Sequence, residues 1–306
     1  MKSRESVAAE NPSPTRPSLR TDLGLLLMVA IWAVNYSVIK SALAELPPLA
    51  FNALRFPLAS LFVYIVLRRQ GSIPLPERGD RGWIAAIGII GVLVYQLLFI
   101  FGIDRTRAGN AALLLASSPI LTALLSAAVG HERLGPRVWA GVAATVVGMT
   151  LVVLGGDDGG VGIGLDTLVG DLTIIAAAAV WSVYTVGARR PIEQYGSLPV
   201  TAWTLWVGTA FLLPFGIRDL AALEWSAIST GAWAAVGFTG MFGIGLAYVL
   251  WYRGVERIGN TRTAIYSNLD PVLALLVAWP WLGEVPTPWQ IVGAAVIIGG
   301  VMMARR

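Results

Sequence analysis

The segment LGEVPTPWQIVGAAVIIGG, residues 282–300, repeats the pattern of GHERLGPRVWAGVAATVVG, residues 130–148, at a constant offset of 152 residues. A glutamate, a proline and two glycines coincide in this register, and the agreement continues upstream to residue 102. Self-similarity at a fixed offset indicates a duplicated structural unit. The specific matches pair Gly102 with Gly254, Arg105 with Arg257, Pro119 with Pro271, Glu132 with Glu284, Pro136 with Pro288, Gly141 with Gly293 and Gly148 with Gly300.

A second register relates the beginnings of the two copies. Asp22 to Trp32 matches Asp171 to Trp181 at an offset of 149, with Asp-Leu followed by eight residues and a tryptophan in both. The repeat predicts two units, residues 22–155 and 166–304. Residues 1–21 are polar, carry three prolines and lack the apolar core of a signal peptide, so we expect a disordered cytoplasmic tail.

Composition places both units in a membrane. Hydrophobic residues make up 56% of the 306 residues and charged residues only 13%, against roughly 25% charged residues in soluble domains. Ten stretches have the length of about 20 apolar residues that a spanning helix requires, and they do not alternate in polarity as the strands of a β-barrel do. The predicted spans are approximately 22–44, 48–68, 82–103, 108–130, 135–155, 167–188, 198–217, 228–251, 261–282 and 287–304.

The distribution of basic residues predicts the orientation. Seventeen lysines and arginines fall in the N-terminal tail, the C-terminus and the connections on the same side, whereas only Arg105, Arg107 and Arg218 fall on the other side. The positive-inside rule therefore predicts cytoplasmic N- and C-termini in a multi-pass protein of the bacterial inner membrane. This bias also accounts for the net charge of +4 without a nucleic-acid partner. Because five is odd, the second unit must be inverted, which is a transporter architecture.

Several kinds of chemistry have no signature in this sequence. The chain has no cysteine and a single histidine, His131, which argues against a metal centre. It has no Walker A pattern, no dinucleotide-binding glycine fingerprint and no HExxH. We therefore expect no cofactor, no metal and no catalytic residues, and the predicted partners are a small-molecule substrate and the lipid bilayer. Glycines spaced by seven on the fifth and tenth spans indicate close helix packing, or a contact in a weak homodimer of an otherwise monomeric protein.

Aromatic and polar residues within the spans form the candidate substrate site. Trp32 and Trp181 lie in the middle of equivalent spans, so the repeat places them on either side of a common interface. Tyr36 and Lys40 follow Trp32 at intervals of four, on one helix face, although Lys40 can also extend to the membrane surface. Packing is the alternative for each aromatic ring. The candidates are Trp32, Tyr36, Lys40, Arg55, Tyr95, Gln96, Ser118, Trp181, Tyr184, Tyr248, Tyr266, Asn268 and Asp270.

Two ionisable candidates lie deep within spans, where a charge is costly unless it is paired or hydrated. Asp270 lies beside Pro271 near the membrane midplane, and it could contact a cation, a proton or a substrate amine, or bond to backbone groups that the proline frees. Arg55 could bind a substrate carboxylate, or pair with Asp270 or with helix-end carbonyls. The paired prolines, Pro119 and Pro271, predict breaks in the fourth and ninth spans at a site or hinge.

Three further features indicate a family: Leu282-Gly283-Glu284 at a helix end, Pro271 upstream, and Gly170-Asp171-Leu172 at the start of the sixth span. With the doubled pattern, the sequence resembles the EamA-type members of the drug/metabolite transporter superfamily over residues 22–304, although His131-Glu132 replaces the expected Gly-Glu in the first copy. The resemblance implies ten helices around a central cavity and export of amino acids or other small metabolites.

The combined prediction is an all-α membrane protein of ten transmembrane helices in two inverted five-helix repeats, working by alternating access. Aromatic amino acids are the specific substrate hypothesis because tryptophan and tyrosine rings accompany Arg55 and Asp270. Alternatives are an exporter of aromatic cations or drugs, a membrane-embedded enzyme that modifies lipids, and a passive channel or scaffold. Transport coupled to protons at Asp270 and simple facilitated diffusion both fit the residues.

Overall fold

The computed structural model describes residues 19–71, 75–130, 135–154, 165–258 and 266–304. Within these ranges every regular element is helical, which confirms the predicted all-α class. Apolar segments form helices because a helix satisfies its own backbone hydrogen bonds where lipid offers none. Residues 1–18 of the predicted tail and residues 131–134, with His131 and Glu132, lie outside the described ranges. Residues 19–21, which were predicted to be disordered, form the first turn of α1 instead.

The helices follow one another with short connections. The first seven are α1 (Leu19–Leu43), α2 (Pro48–Gln70), α3 (Arg81–Gly88), α4 (Tyr95–Arg105), α5 (Ala108–Leu115), α6 (Ser118–Ala128) and α7 (Pro136–Leu154). The remaining six are α8 (Leu165–Tyr195), α9 (Ser197–Ala222), α10 (Thr230–Gly237), α11 (Ala247–Ile258), α12 (Asp270–Leu282) and α13 (Pro288–Ala304). Among the described residues, eight continuous stretches are long and apolar enough to cross a membrane, whereas α12 and the apolar part of α13 are shorter.

Helix starts reproduce the offsets of the sequence repeat. Proline stands at the first positions of α2, α6, α7, α12 and α13, where its missing N–H has no partner to lose. Two pairs of helices begin 149 residues apart, at Pro48 and Ser197 and at Arg81 and Thr230, and two begin 152 residues apart, at Ser118 and Asp270 and at Pro136 and Pro288.

Regular α-helix is interrupted at equivalent places in both copies. A turn at residues 116–117 separates α5 from α6, and a 3₁₀ turn at Ser267–Leu269 precedes α12, so breaks accompany both prolines as predicted. Two π-helical segments, called π1 (Ile89–Val94) and π2 (Phe238–Leu246), lie between α3 and α4 and between α10 and α11. Such segments often accompany functional sites, and the candidate site lies beside both.

Helices α7 and α13 have the most extensive contact between any two elements. A Cβ atom added to Gly148 would lie 2.9 Å from the carbonyl oxygen of Gly293, and one added to Gly300 would lie 2.7 Å from that of Gly141. The two backbones therefore touch where small residues allow it. The glycines predicted to mediate helix packing or dimerisation serve packing within the chain.

The Leu-Gly-Glu segment has a structural role at one end of the bundle. Gly283 ends α12 in the left-handed conformation, with φ of 71°, which a glycine adopts at little cost. The chain then turns so that the two carboxylate oxygens of Glu284 accept hydrogen bonds from the backbone N–H groups of Ala108 and Gly109, at 3.1 and 3.2 Å. An acidic side chain at a helix N-terminus satisfies orphan donors and complements the helix dipole.

We expect Glu284→Ala to lower the stability of the protein by about 1–2 kcal/mol, because the first turn of α5 loses its capping acceptor. The measurement is thermal unfolding of the purified protein in detergent. Glu193→Ala is the matched control, since its pair with Arg189 lies on the surface and exposed pairs contribute little. Equal shifts in the two variants would contradict the capping role.

Candidate functional site

Arg55 is a buried cation held by uncharged neighbours. It is 1% exposed, its Nε donates to Oδ1 of Asn52 at 3.0 Å, and its Nη2 donates to Oε1 of Gln96 at 2.9 Å. The rings of Phe51 and Phe56 lie 5.0 and 5.3 Å from the guanidinium carbon, within the range of a cation–π attraction. These partners fix the guanidinium without neutralising it.

Asp270 is the corresponding buried anion at the start of α12. Its Oδ2 accepts a hydrogen bond of 3.3 Å from the hydroxyl of Tyr36, whereas its Oδ1 is buried with no partner among the described residues. Within the same ranges no ion pair of 4.0 Å or less joins it to Arg55. The two opposite charges are therefore held apart, and the alternative in which Arg55 simply pairs with Asp270 is not observed.

A row of aromatic rings runs through the site. Tyr184 contacts Trp181 at 5.3 Å between ring centroids, Trp181 contacts Tyr95 at 5.1 Å, and Tyr95 stacks on Phe99 at 5.8 Å with 12° between the planes. Phe99 then meets the edge of Tyr36 at 6.3 Å. These separations are typical of favourable aromatic pairs. Because the row takes rings from α8, α4 and α1, it joins the two sequence copies.

The centre of the row lies near both charges. Tyr95 interacts electrostatically with both Arg55 and Asp270, and its hydroxyl forms no hydrogen bond with any described residue. Arg55 has no ion-pair partner among the described residues, and Oδ1 of Asp270 is buried there without a hydrogen-bond partner. The site therefore combines an uncompensated cation and an unused carboxylate oxygen with an aromatic wall. Unpaired buried polar groups are costly unless a ligand or water completes them.

Lys40 lies at the end of the bundle, away from this wall. Its ammonium group donates to the carbonyl oxygens of Ile103 and Asp104, at 3.1 and 3.4 Å, and to that of Thr106. These carbonyls lie at the C-terminus of α4, where the helix dipole favours a cation. The ammonium group of Lys40 is therefore engaged by helix-end carbonyls rather than placed beside the aromatic rings.

Ser118 and Tyr184 have hydroxyl groups that bond within the protein. The Ser118 hydroxyl donates to the carbonyl oxygen of Leu115 at 2.6 Å, across the turn between α5 and α6, and its own carbonyl accepts from Ser182 at 3.2 Å. The Tyr184 hydroxyl lies 3.2 Å from that of Thr204. Both side chains therefore support the site, one at the helix break and one behind Trp181.

The remaining candidates occupy three different positions. Trp32 lies one turn before Tyr36, but its ring packs against Trp251, with 5.9 Å between centroids. Tyr266 donates to Oδ1 of Asp22 at 2.6 Å, at the start of α1, and the Asn268 side chain lies outside the described part. The structure brings together Tyr36, Arg55, Tyr95, Gln96, Trp181, Tyr184, Tyr248 and Asp270, with Tyr248 placed by its electrostatic interactions with Arg55 and Tyr95.

Sequence reasoning left three contributors out of the candidate site. Phe99 connects Tyr36 to Tyr95, and Phe51 and Phe56 pack against Arg55. Their helical spacing contained a signal, because Phe99 follows Tyr95 by four residues and therefore lies on the same helix face. A phenylalanine in a membrane span is nevertheless ordinary, so only the tertiary contacts identify these three.

A cleft of about 1220 Å³ opens at the end of the bundle where α3 begins and α8 ends. Its walls carry charged residues such as Asp80 and Arg190, together with Val183 of α8, two residues beyond Trp181. None of the predicted site residues lines this cleft, so it lies beside the aromatic row rather than around it.

Ionisable side chains enclosed by apolar helices of membrane length are typical of the substrate pathway of a membrane transporter. The chain matches the EamA-like transporter family over residues 19–154 and again over residues 168–306. It therefore belongs to this family and is a membrane transporter, not an enzyme, and the alternative of a membrane-embedded lipid-modifying enzyme is set aside.

Relatives match over nearly the whole chain. A probable terminal-alkyne amino-acid exporter of Streptantibioticus cattleyicolor is 30% identical over 92% of this chain and 92% of its own. A probable amino-acid metabolite efflux pump of Salmonella typhimurium is 28% identical over 90% of this chain and 91% of its own. One solved crystal structure shares the fold with a TM-score of 0.66, at 23% identity, over 93% of this chain and 96% of that one.

We expect Gln96→Leu to destabilise the protein by about 1–3 kcal/mol, because the buried Nη2 of Arg55 loses its acceptor. Thermal unfolding in detergent, followed by intrinsic tryptophan fluorescence, measures the loss. Gln194→Leu is the control, since Gln194 is exposed at the end of α8 and its hydrogen bond to Tyr195 lies at the surface. An equal loss of stability in the control would show that the hydrogen bond between Gln96 and Arg55 contributes no more than a surface hydrogen bond.

Proposed function

We propose that this transporter exports amino acids, with aromatic amino acids as its best substrates, across the bacterial inner membrane by alternating access. The observation that carries the proposal is the pair of charges, Arg55 and Asp270, which form no ion pair with each other in the described ranges and both interact electrostatically with Tyr95. The names of the two relatives described above support amino-acid export. We assign the substrate site to Tyr36, Arg55, Tyr95, Trp181 and Asp270, with Gln96, Tyr184 and Tyr248 supporting it.

A zwitterion is the ligand that this charge arrangement fits. The guanidinium of Arg55, which has no ion-pair partner among the described residues, can donate to a carboxylate, which is the group that a guanidinium recognises best. The free Oδ1 of Asp270 can accept from an ammonium group at the other end of the site. Neither protein charge neutralises the other within the described part of the chain, so an α-amino acid supplies both missing counter-charges.

The aromatic row provides the second element of recognition. A substrate ring can pack against Tyr95 and Trp181, whose faces already form part of a stack, and such contacts add about 0.5–1.5 kcal/mol beyond the burial of area. Aliphatic amino acids lack this contribution. We therefore propose aromatic side chains as the preferred class.

We expect purified protein in sealed proteoliposomes to catalyse saturable counterflow of labelled phenylalanine or tryptophan. Asp270→Asn should raise the KM for phenylalanine at least tenfold, equivalent to about 1.4 kcal/mol, because the amine loses its charged partner. Inhibition by phenylpropionate, which has no amine, should be unchanged in that variant. The control is Asp219→Asn, a substitution near the end of α9. Conductance without saturable counterflow would indicate a channel and overturn the proposal.

An aromatic cation is the second candidate substrate, because Asp270 with its aromatic neighbours could hold a cation by itself. The variant Arg55→Gln distinguishes the two candidates. If the natural substrate is an amino acid, this variant should reduce the transport of phenylalanine but leave the transport of an aromatic amine such as phenethylamine unaffected. Robust transport of phenethylamine with no counterflow of any amino acid would favour the cation instead.

For the architecture we propose ten spans in two inverted repeats, residues 22–155 and 166–304, with both termini cytoplasmic. The site is built within one chain and the α7–α13 glycines are used internally, so we propose the monomer as the transporting unit, with any homodimer weak. The short helices α12 and α13 begin at positions equivalent to the starts of α6 and α7, which supports counting them with the spans.

Two contacts at helix starts support the inverted arrangement. The carboxylate of Glu45, just after α1, accepts from the backbone N–H and the hydroxyl of Ser229, at 3.0 and 2.8 Å, in front of α10. The hydroxyl of Tyr195, at the end of α8, donates to Asp80 at 2.7 Å, in front of α3. Asp80 and Ser229 are 149 residues apart, as the repeat requires, and each contact joins one copy to the other.

These two contacts, which we call the Glu45 latch and the Asp80 latch, lie at opposite membrane faces if the repeats are inverted. We propose that during alternating access each of them opens while the other is closed. The hydrogen bonds from Ser229 lower the pKa of Glu45 below its usual value. The Glu45 latch is therefore intact at neutral pH, and its stabilisation is lost as the pH falls through that lowered pKa.

We expect cross-linking of either latch to abolish counterflow. The chain has no native cysteine, so the double variants Glu45→Cys with Ser229→Cys and Asp80→Cys with Tyr195→Cys can be joined by a short, reducible bifunctional thiol reagent. Reduction should restore transport in both.

The control for cross-linking is Arg189→Cys with Glu193→Cys, because these residues form an i,i+4 pair on the single helix α8. Its cross-link should leave transport intact. Continued transport with a cross-linked latch would show that the contact does not open during the cycle.

A further inference from the structure

The two tryptophans at equivalent positions in the repeat have different surroundings. The indole N–H of Trp32 donates to the carbonyl oxygen of Gly243 at 3.0 Å, and its ring packs against Trp251. The indole N–H of Trp181 donates to no described residue, and its ring lies between Tyr95 and Tyr184. Sequence symmetry predicts a common role, but the contacts show one tryptophan tied to the backbone and one with an unused donor.

The carbonyl that Trp32 holds belongs to π2. In a π-helix each backbone hydrogen bond spans five residues rather than four. The donation from Trp32 adds a side-chain hydrogen bond to this segment at Gly243. Trp32 thus connects α1 to π2 through a hydrogen bond that a phenylalanine cannot make.

Segment π2 packs directly behind the charged part of the site. A Cβ atom added to Gly240 would lie 2.6 Å from the carbonyl oxygen of Arg55 and 3.1 Å from Cβ of Leu58. The backbone of π2 therefore touches the turn of α2 that carries Arg55. A displacement of π2 moves that turn, because a close-packed interior transmits small shifts.

Trp181 is supported through Tyr184 by the other π-helical segment, π1. The Tyr184 ring that supports it packs against Gly91 of π1, where an added Cβ would overlap the ring, and the Tyr184 hydroxyl meets Thr204. Trp181 therefore has a fixed partner behind its ring, and it is itself partly exposed.

We infer that the two tryptophans divide the recognition of the substrate. Trp32 is a positioning residue that, through π2, holds Arg55 in place for the substrate carboxylate, whereas Trp181 contacts the substrate ring. The inference rests on the proposed amino-acid function and deepens it, because it assigns each end of the substrate to a different tryptophan.

The test uses two single-charge ligands as competitors of labelled phenylalanine binding to the purified protein. Phenylpropionate has the ring and the carboxylate, and phenethylamine has the ring and the amine. Trp32→Phe should weaken the binding of phenylpropionate about tenfold and change the binding of phenethylamine by less than twofold. Only Arg55, which contacts the carboxylate, is displaced in this variant. Trp181→Leu should weaken both ligands by a similar factor, because both lose the ring contact.

A second pair of variants reaches π2 without changing a tryptophan. Gly240→Ala inserts a methyl group against the Arg55 backbone and should reproduce the selective loss of phenylpropionate. Gly237→Ala is its matched control, because an added Cβ at Gly237 meets no atom within 4 Å, and it should bind both ligands as the unmodified protein does. Thermal unfolding of all four variants verifies that each is folded.

Three outcomes separate the hypotheses. Absence of phenylalanine binding and counterflow in the unmodified protein overturns the proposed function itself. Binding of phenylalanine with equal losses of both ligands in Trp32→Phe and in Gly240→Ala overturns the positioning role while leaving the function intact. Unchanged binding of both ligands in Trp181→Leu overturns the assignment of the ring contact.

Discussion

A polar group in hydrocarbon must find its partner within the protein, and the structure of this transporter depends on that constraint. Backbone groups within a helix bond to one another. At several helix ends, a side chain from another segment bonds to the N–H or C=O groups that the helix leaves unpaired. Glu284 completes the start of α5, Lys40 completes the end of α4, and Ser229 and Glu45 complete the start of α10. These contacts join segments that are distant in the chain, so the ends of the helices hold the bundle together.

Against this background the incompletely satisfied groups define the site. Arg55 is held by Asn52 and Gln96 and covered by aromatic rings, and Asp270 is held by Tyr36. Arg55 is positioned without a counter-charge among the described residues, and Asp270 is positioned with one unpartnered oxygen. Burying such charges away from water has a free-energy cost, and a bound ligand with complementary charges offsets that cost. The two copies differ at this position. Asp270 aligns with Ser118, whose hydroxyl bonds to the carbonyl oxygen of Leu115 in the turn that precedes α6.

Much of the site follows from helix spacing and from the rarity of ionisable residues in spans, which singled out Arg55, Asp270, Tyr36, Tyr95 and Trp181. The sequence could not show that Lys40 donates hydrogen bonds to helix-end carbonyls or that Tyr266 donates one to Asp22. In both cases the packing of separate helices brings the two partners together. It also gave no reason to select Phe99 among many phenylalanines in membrane spans. The difference between Trp32 and Trp181 was hidden by their identical positions in the repeat.

The amino-acid sequence by itself determined the helical membrane fold, the duplicated units and the glycine and proline positions that end or join helices, because these features depend on local composition and on spacing along one chain. Tertiary structure decided which polar groups pair and which stay unused, where π1 and π2 press against neighbouring helices, and how the two charges are kept apart. The physical reason is that hydrogen bonds and electrostatic contacts act over a few ångströms between helices whose relative placement no single-helix pattern encodes.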